Sequence, residues 1–176
     1  MKIRKRLLSL ASGILLGALS CQQASAAGDP PNLGGVNVVV GRRDALGQRN
    51  AQVVLEVYKK MINQKQPKNV GQYLEPSYIQ HNPTIETGAE ALIKAFAYME
   101  AQHPRAHVVV HQVIAVGNFV YAHVNFVNLF SDDPNDRGLA GVDIYRFDNN
   151  GRIAEHWDVL QPIPDPKNAA NPNGMF

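Results

Sequence analysis

The stretch Gly141-Val-Asp-Ile-Tyr-Arg-Phe-Asp-Asn-Asn-Gly-Arg-Ile-Ala-Glu-His-Trp-Asp-Val-Leu-Gln161 decides how the chain is read. Two runs rich in β-branched and aromatic residues flank Asp148-Asn149-Asn150-Gly151, and Asn-Gly supplies the positive φ angles of a tight turn. A β-hairpin is expected. Strand side chains alternate faces, so Asp143, Tyr145 and Phe147 share one side and Val142, Ile144 and Arg146 the other. On the second strand His156 and Asp158 are separated from Glu155 and Trp157. A two- or four-residue loop sets His156 and Asp158 beside Asp143, whereas a three-residue loop with a bulge sets Glu155 and Trp157 there. The first register is favoured, because it also faces Arg146 with Glu155 across the outer surface.

Outward from this hairpin the period changes. Ala106 to Val116 and Phe119 to Phe130 read as strands joined at Gly117-Asn118. Upstream, Val53, Val54, Val57, Tyr58, Met61 and Ile62 recur at helical spacing behind an Asn50 cap. A short helical segment is expected at Val70 to Leu74, then Tyr78-Ile-Gln-His-Asn-Pro83. A further helix runs from Gly88 to Ala101 and stops at Pro104. Helices followed by about four antiparallel strands imply an α+β fold, with helices packed on one side of a curved, mainly antiparallel sheet. No pattern of buried parallel strands is visible.

Met1 to Arg6 carries four cations ahead of an apolar run from Leu7 to Leu19, the layout of a secretory signal peptide. Two ends of the leader are open: cleavage after Ala24-Ser25-Ala26, or lipid attachment at Cys21, the only cysteine. Export to the periplasm or beyond is expected, with membrane contact only through a lipid on Cys21. The divisions are a leader at 1–26, a flexible arm at 27–48 with room for a short strand at Val36 to Val40, a domain at 49–162 and a proline-rich tail at 163–176. Four of the 17 Lys and Arg residues lie in the leader, which leaves 13 against 15 Asp and Glu, a net of −2. Such a domain has no electrostatic footprint for nucleic acid.

His103, His107 and His111 recur every four residues, but Pro104 and the Val108-Val109-Val110 run break any shared helix, so no metal site is assigned. His81 and Asn82 stand beside a proline where side chains often line a cavity mouth, and histidine is readily poised near neutral pH. On the long strand, Val120, Ala122, Val124 and Phe126 face the core, which leaves His123 and Asn125 for the other surface. Asp143 is the sharper candidate. A carboxylate in an aromatic row is partly desolvated, and burial disfavours its charged form. The candidate catalytic residues are Asp143, His156 and His81, and the candidate substrate contacts are Asn82, Asp158, Tyr145, Trp157 and Tyr78. Apolar surface left on the uncovered side of the sheet predicts a homodimer.

The helices-then-sheet order, Tyr78-Ile-Gln-His-Asn-Pro83 and Val142 to Pro162 resemble the SnoaL-like polyketide cyclase group of the NTF2-like superfamily, over about Asn50 to Pro162. The resemblance implies a cone-shaped α+β fold with a deep pocket between sheet and helices. It implies that Asp143 is the acid/base of a cofactor-free and metal-free aldol-type ring closure on a carbonyl ligand, a lyase or isomerase type of chemistry. Ketosteroid isomerases of the same superfamily carry a similar Asp-x-Met-Arg-Phe strand, but their general base is an aspartate before a proline. Asn82 stands before Pro83 here, so steroid isomerisation is not expected unless His81 takes the place of that base. The superfamily also holds pure binding proteins, which leaves a non-catalytic ligand-binding module as the alternative.

Overall fold

A computed structural model describes residues 35–176. The leader and the Cys21 lipid site lie outside the described residues. Six strands form one open sheet: β1 (Asn37–Val40), β2 (Leu74–Gln80), β3 (His107–Val116), β4 (Phe119–Val127), β5 (Leu139–Phe147) and β6 (Ile153–Pro162). Their order is β1-β3-β4-β5-β6-β2. The four central strands pair antiparallel in sequence. The two edge strands pair parallel, β1 to β3 and β2 to β6.

Those parallel edges correct the sequence reading, which counted four strands and no parallel pairing. β1 falls on the Val36 to Val40 run of the arm, and what the sequence did not show is that it joins the sheet beside β3. β2 occupies a stretch in which no strand is read: a 3-10 segment (Pro67–Tyr73), in place of the short helix expected at Val70 to Leu74, runs straight into Leu74, and Pro76 is tolerated because β2 is an edge strand. Short edge strands lack the long apolar run by which parallel strands are usually recognised.

Helix α1 (Ala45–Tyr58) starts five residues earlier than expected. Its cap is Asp44, whose Oδ1 accepts from Gly47 N–H at 2.7 Å and whose Oδ2 accepts from Gly117 N–H at 2.7 Å. These two backbone bonds hold the Asp44 carboxyl below its ordinary range. Asn50, expected as the cap, is instead fully buried inside the helix, and its Nδ2 donates to Gly117 O at 2.9 Å. The helix thus docks by two polar side chains onto the β3–β4 turn. Gly117 has φ +57 at the first turn position, where a β-carbon would be strained.

Val54, Val57 and Tyr58 are buried on the inner face of α1, and a π-helical turn (Lys59–Asn63) adds Met61 and Ile62. Helix α2 (Ala89–Gln102) closes the same side with Leu92 buried and Phe96 and Met99 half-buried. On the sheet, Val113, Ala115, Val120, Ala122, Val124 and Phe126 face these helices. In the proline-rich tail, the Phe176 ring stacks on His111 with centroids 4.0 Å apart, on the side of the sheet away from the helices.

Candidate active site

The β5–β6 hairpin places its side chains by two irregularities rather than one. Asp148 N–H donates to Arg152 O at 2.8 Å, which leaves Asn149, Asn150 and Gly151 as a three-residue loop. Gly151 alone has positive φ, at +78, so the Asn-Gly pair does not form the two-residue turn expected of it. The Asp148 carboxylate organises the loop, accepting from Asn150 N–H at 2.9 Å and Arg152 N–H at 2.8 Å. Phe147 pairs with Ile153, but Arg146 pairs with Glu155, so Ala154 is an extra residue. That bulge inverts the alternation downstream. Tyr145 therefore faces His156 and Asp143 faces Asp158. The favoured neighbours are the observed ones, although the loop is of the length that was expected to exclude them.

A cavity of about 520 Å³ lies between this surface and the helices. Apolar side chains from α1, α2 and the sheet make most of its wall, including Val57, Met61, Phe96, Met99, Phe126 and Leu160. Among the described residues no Lys or Arg lines it. Its polar groups are concentrated where β5, β6 and the end of β2 meet α1. Asp143 is 2 % exposed. Its Oδ2 accepts from the hydroxyl of Tyr58 and, at 3.3 Å, from that of Tyr145. Its Oδ1 faces His156 Nε2 at 3.7 Å. The Tyr145 and His156 rings lie 4.8 Å apart.

A second layer holds this group in place. Gln80 Oε1 accepts from Asn82 N–H at 2.9 Å and lies 3.0 Å from His156 Nδ1. Gln80 Nε2 donates to the Tyr78 hydroxyl at 3.0 Å. Asn82 Nδ2 donates to both Asp158 oxygens, at 3.0 and 2.8 Å, while its Oδ1 accepts from Thr84 N–H at 2.9 Å. Burial is the main reason that the phenols of Tyr58, Tyr145 and Tyr78 titrate far above their ordinary 10.0, with the Asp143 charge next. All three stay protonated at neutral pH. Tyr58 and Tyr145 are therefore standing donors to the carboxylate.

Of the residues singled out from sequence, Asp143, His156, Asn82, Asp158, Tyr145 and Tyr78 meet in the cavity. His81 and Trp157 do not. Both alternate to the outer face of the sheet, where their rings stack 4.6 Å apart with an interplanar angle of 7°. There His81 Nε2 lies 2.8 Å from Glu155 Oε1, and Glu155 Oε2 accepts from Arg146 Nε at 2.6 Å. This pairing holds the Glu155 carboxyl below its ordinary range, His81 contributing most. Pro83 fixes where β2 ends, not which way His81 points; β2 pairing with β6 does that.

Tyr58 and Gln80 were missed. Tyr58 was counted in the apolar stripe of α1, although it is the one member with a polar tip, and a buried Tyr hydroxyl usually has a partner. Gln80 ends β2, a strand the sequence does not announce. The three spaced histidines are not brought together: His103 lies at the cavity wall 3.6 Å from Asp132, His107 bonds the Arg105 carbonyl, and His111 packs with His123 and Phe176. Asp143, His156 and Asp158 do offer one ligand atom each within 4.8 Å of one another, the one such group of three among the described residues.

The SnoaL-like domain profile matches residues 54–156. The chain belongs to the SnoaL-like domain family. No curated protein matches it in sequence. Among solved structures, a candidate polyketide cyclase from Bacillus cereus is similar at 17% identity and TM-score 0.56, over 72% of this chain and 83% of that one. An NTF2-like protein of unknown function from Mesorhizobium loti gives 15% and 0.54, over 72% and 99%. A candidate SnoaL-like polyketide cyclase from Jannaschia gives 19% and 0.54, over 67% and 89%. At these identities the likeness establishes the NTF2-like fold of this SnoaL-like domain.

Proposed function

We propose that this SnoaL-like domain is an enzyme that moves a proton at the carbon next to a carbonyl, in an aldol-type ring closure or an isomerisation of an uncharged, largely apolar ligand. One observation carries the reading: Asp143 is buried at the polar end of an apolar cavity, with one oxygen held by Tyr58 and Tyr145 and the other turned towards His156. Holding Oδ2 leaves Oδ1 as the reactive atom. In the ring closure Asp143 takes the proton from carbon and the C–H electron pair becomes the enolate. The enolate carbon then bonds to a second carbonyl carbon of the same ligand, and the new alkoxide takes a proton back. His156 Nε2 is near enough to share that proton through a small displacement of either ring or carboxylate. The Asn82–Asp158 pair lies beside this path and positions ligand oxygens or hydroxyls. The absence of Lys and Arg from the described cavity wall supports a ligand without carboxylate or phosphate at this end.

The test is deuterium exchange beside the carbonyl in a panel of β-keto esters and cyclic ketones, comparing wild type with Asp143→Asn. Asn keeps shape and hydrogen bonding but cannot exchange a proton, so a fall of about a hundred- to ten-thousandfold is expected. Equal exchange by the folded variant would remove Asp143 from the mechanism and leave reversible binding as the role of the cavity.

A further inference from the structure

His156 has two ring nitrogens in different surroundings, and which of them bears the proton decides what the site can accept. Nδ1 lies 3.0 Å from Gln80 Oε1, and Nε2 faces Asp143 Oδ1. A glutamine amide can be turned by half a rotation, but here a donor that cannot turn fixes it. Asn82 backbone N–H donates to Gln80 Oε1 at 2.9 Å. Reversing the amide would set its NH₂ against that N–H, two donors facing each other; the Tyr78 hydroxyl, which can donate or accept, satisfies the other end in either case. Nδ1 therefore meets an oxygen, and only an N–H satisfies it. In the neutral ring Nε2 is then a bare lone pair.

His156 is 8 % exposed, so this lone pair has little access to water. It meets other acceptors. Asp143 Oδ1 lies 3.7 Å from it, and one carboxylate oxygen of Asp158 belongs to the same cluster, in which one atom each of Asp143, His156 and Asp158 lie within 4.8 Å of one another. The phenol donors of Tyr58 and Tyr145 are both spent on Asp143 Oδ2. A ligand that seats a bare carbonyl oxygen in this gap would place acceptor against acceptors; one that brings its own acidic hydrogen satisfies them.

We infer that Gln80 is a positioning residue that holds His156 in the Nδ1–H tautomer, and that the ligand places an acidic C–H or an enol O–H between His156 Nε2 and Asp143 Oδ1. This rests on the acid/base reading of the cavity, yet the tautomer is measured without turnover.

Long-range ¹⁵N correlation spectra of labelled protein separate the two tautomers, and His156→Gln assigns the His156 signals. Wild type is expected to show Nδ1–H. Gln80→Leu removes the acceptor and is expected to lose that preference, while Gln80→Glu, which still accepts at Nδ1, restores it. 2-Acetylcyclohexanone is expected to bind at least about tenfold more tightly than its 2-methyl derivative, which has no proton between the carbonyls, and to move the Nε2 resonance. An Nε2–H tautomer in the wild type overturns the proposal whatever becomes of the variants. So does equal binding of the two diketones with the same displacement of Nε2. An Nδ1–H ring in a protein that exchanges no test ketone would instead count against the enzyme reading and leave the tautomer lock standing.

Discussion

Tyr58→Phe separates the buried hydroxyl from the ring that carries it. In the folded chain the phenol donates to Asp143 Oδ2 and is pushed far above its ordinary value of 10.0, first by burial and then by the Asp143 charge. Tyr145 and Tyr78 are displaced in the same direction. A raised folded value means that the folded state keeps protons which the unfolded chain releases. Stability from these groups is complete below about pH 10 and is lost as pH climbs above it. At pH 11 each phenol costs about 1.4 kcal/mol and the three together about 4 kcal/mol, a large part of the roughly 5–15 kcal/mol of an ordinary domain. Removing one hydroxyl should reduce that alkaline loss to about 3 kcal/mol. At pH 7 the sign reverses: the variant gives up a hydrogen bond to a carboxylate and should be about 1.5–3 kcal/mol less stable, with exchange slowed about tenfold or more. Urea unfolding at pH 7 and pH 11 reads both differences. An alkaline loss that matches wild type would mean that this phenol is not buried against Asp143, and the geometry of the site would have to be rebuilt.

Three further outcomes are expected. Asn50→Ala removes a fully buried side chain and its bond from α1 to the half-buried Gly117 O, so urea unfolding should show a loss of about 1–3 kcal/mol with the cavity chemistry intact. We propose that the outer sheet face is a homodimer contact, because Ile114–Tyr121–Ile144–Trp157 and Gln112–His123–Val142–Val159 form continuous cross-strand rows there; sedimentation at micromolar concentration should give the dimer mass, and a monomer would remove the idea. We also propose export, supported by the cationic and apolar order of residues 1–19; intact mass should place the mature start near Ala27 or at a lipid-bearing Cys21, and retained Met1 on a cytoplasmic protein would end it.

Long-period patterns and the facing of Arg146 with Glu155 were readable, and the edge pairings and the loop of the hairpin were not. The aliphatic face Val120–Ala122–Val124–Phe126 and the helical stripes of α1 and α2 are set by repeated burial, so several residues vote for each assignment. Asp143 stood out because a charge in such a row is rare. The edge strands are too short to vote: β1 has four residues, and β2 contains a proline. His81 and Trp157 were misplaced for a related reason. Each is one step of alternation from a cavity residue, Gln80 or Asn82 in the first case and His156 or Asp158 in the second, and a single step decides the face. Gln80 could not be found from sequence, because its role exists only once Asn82 N–H and His156 converge on its oxygen.

The bulge at Ala154 allows that dependence on one step to be tested directly. With a three-residue loop and regular pairing, Glu155 and Trp157 would enter the cavity and His156 would leave it. Ala154 prevents this by occupying a position that has no partner between Phe147↔Ile153 and Arg146↔Glu155. Deleting Ala154 should not expel His156. It makes Ile153 and Glu155 consecutive and brings regular alternation into agreement with the downstream pairing, so His156 stays opposite Tyr145 and Trp157 stays outside against His81. The strand loses its local bend, so the Asp143–His156 separation should change more than the fold does. Trp157 is the only tryptophan, which makes its fluorescence an assay of the face it occupies. The deletion variant should keep the parent emission maximum and keep its response to His81→Ala. A blue-shifted emission that no longer responds to His81→Ala would show that Trp157 has entered the apolar cavity. Register would then be set by the bulge itself and not by the alternation beyond it, and the pairing of His156 with Asp143 would hang on a single unpaired alanine.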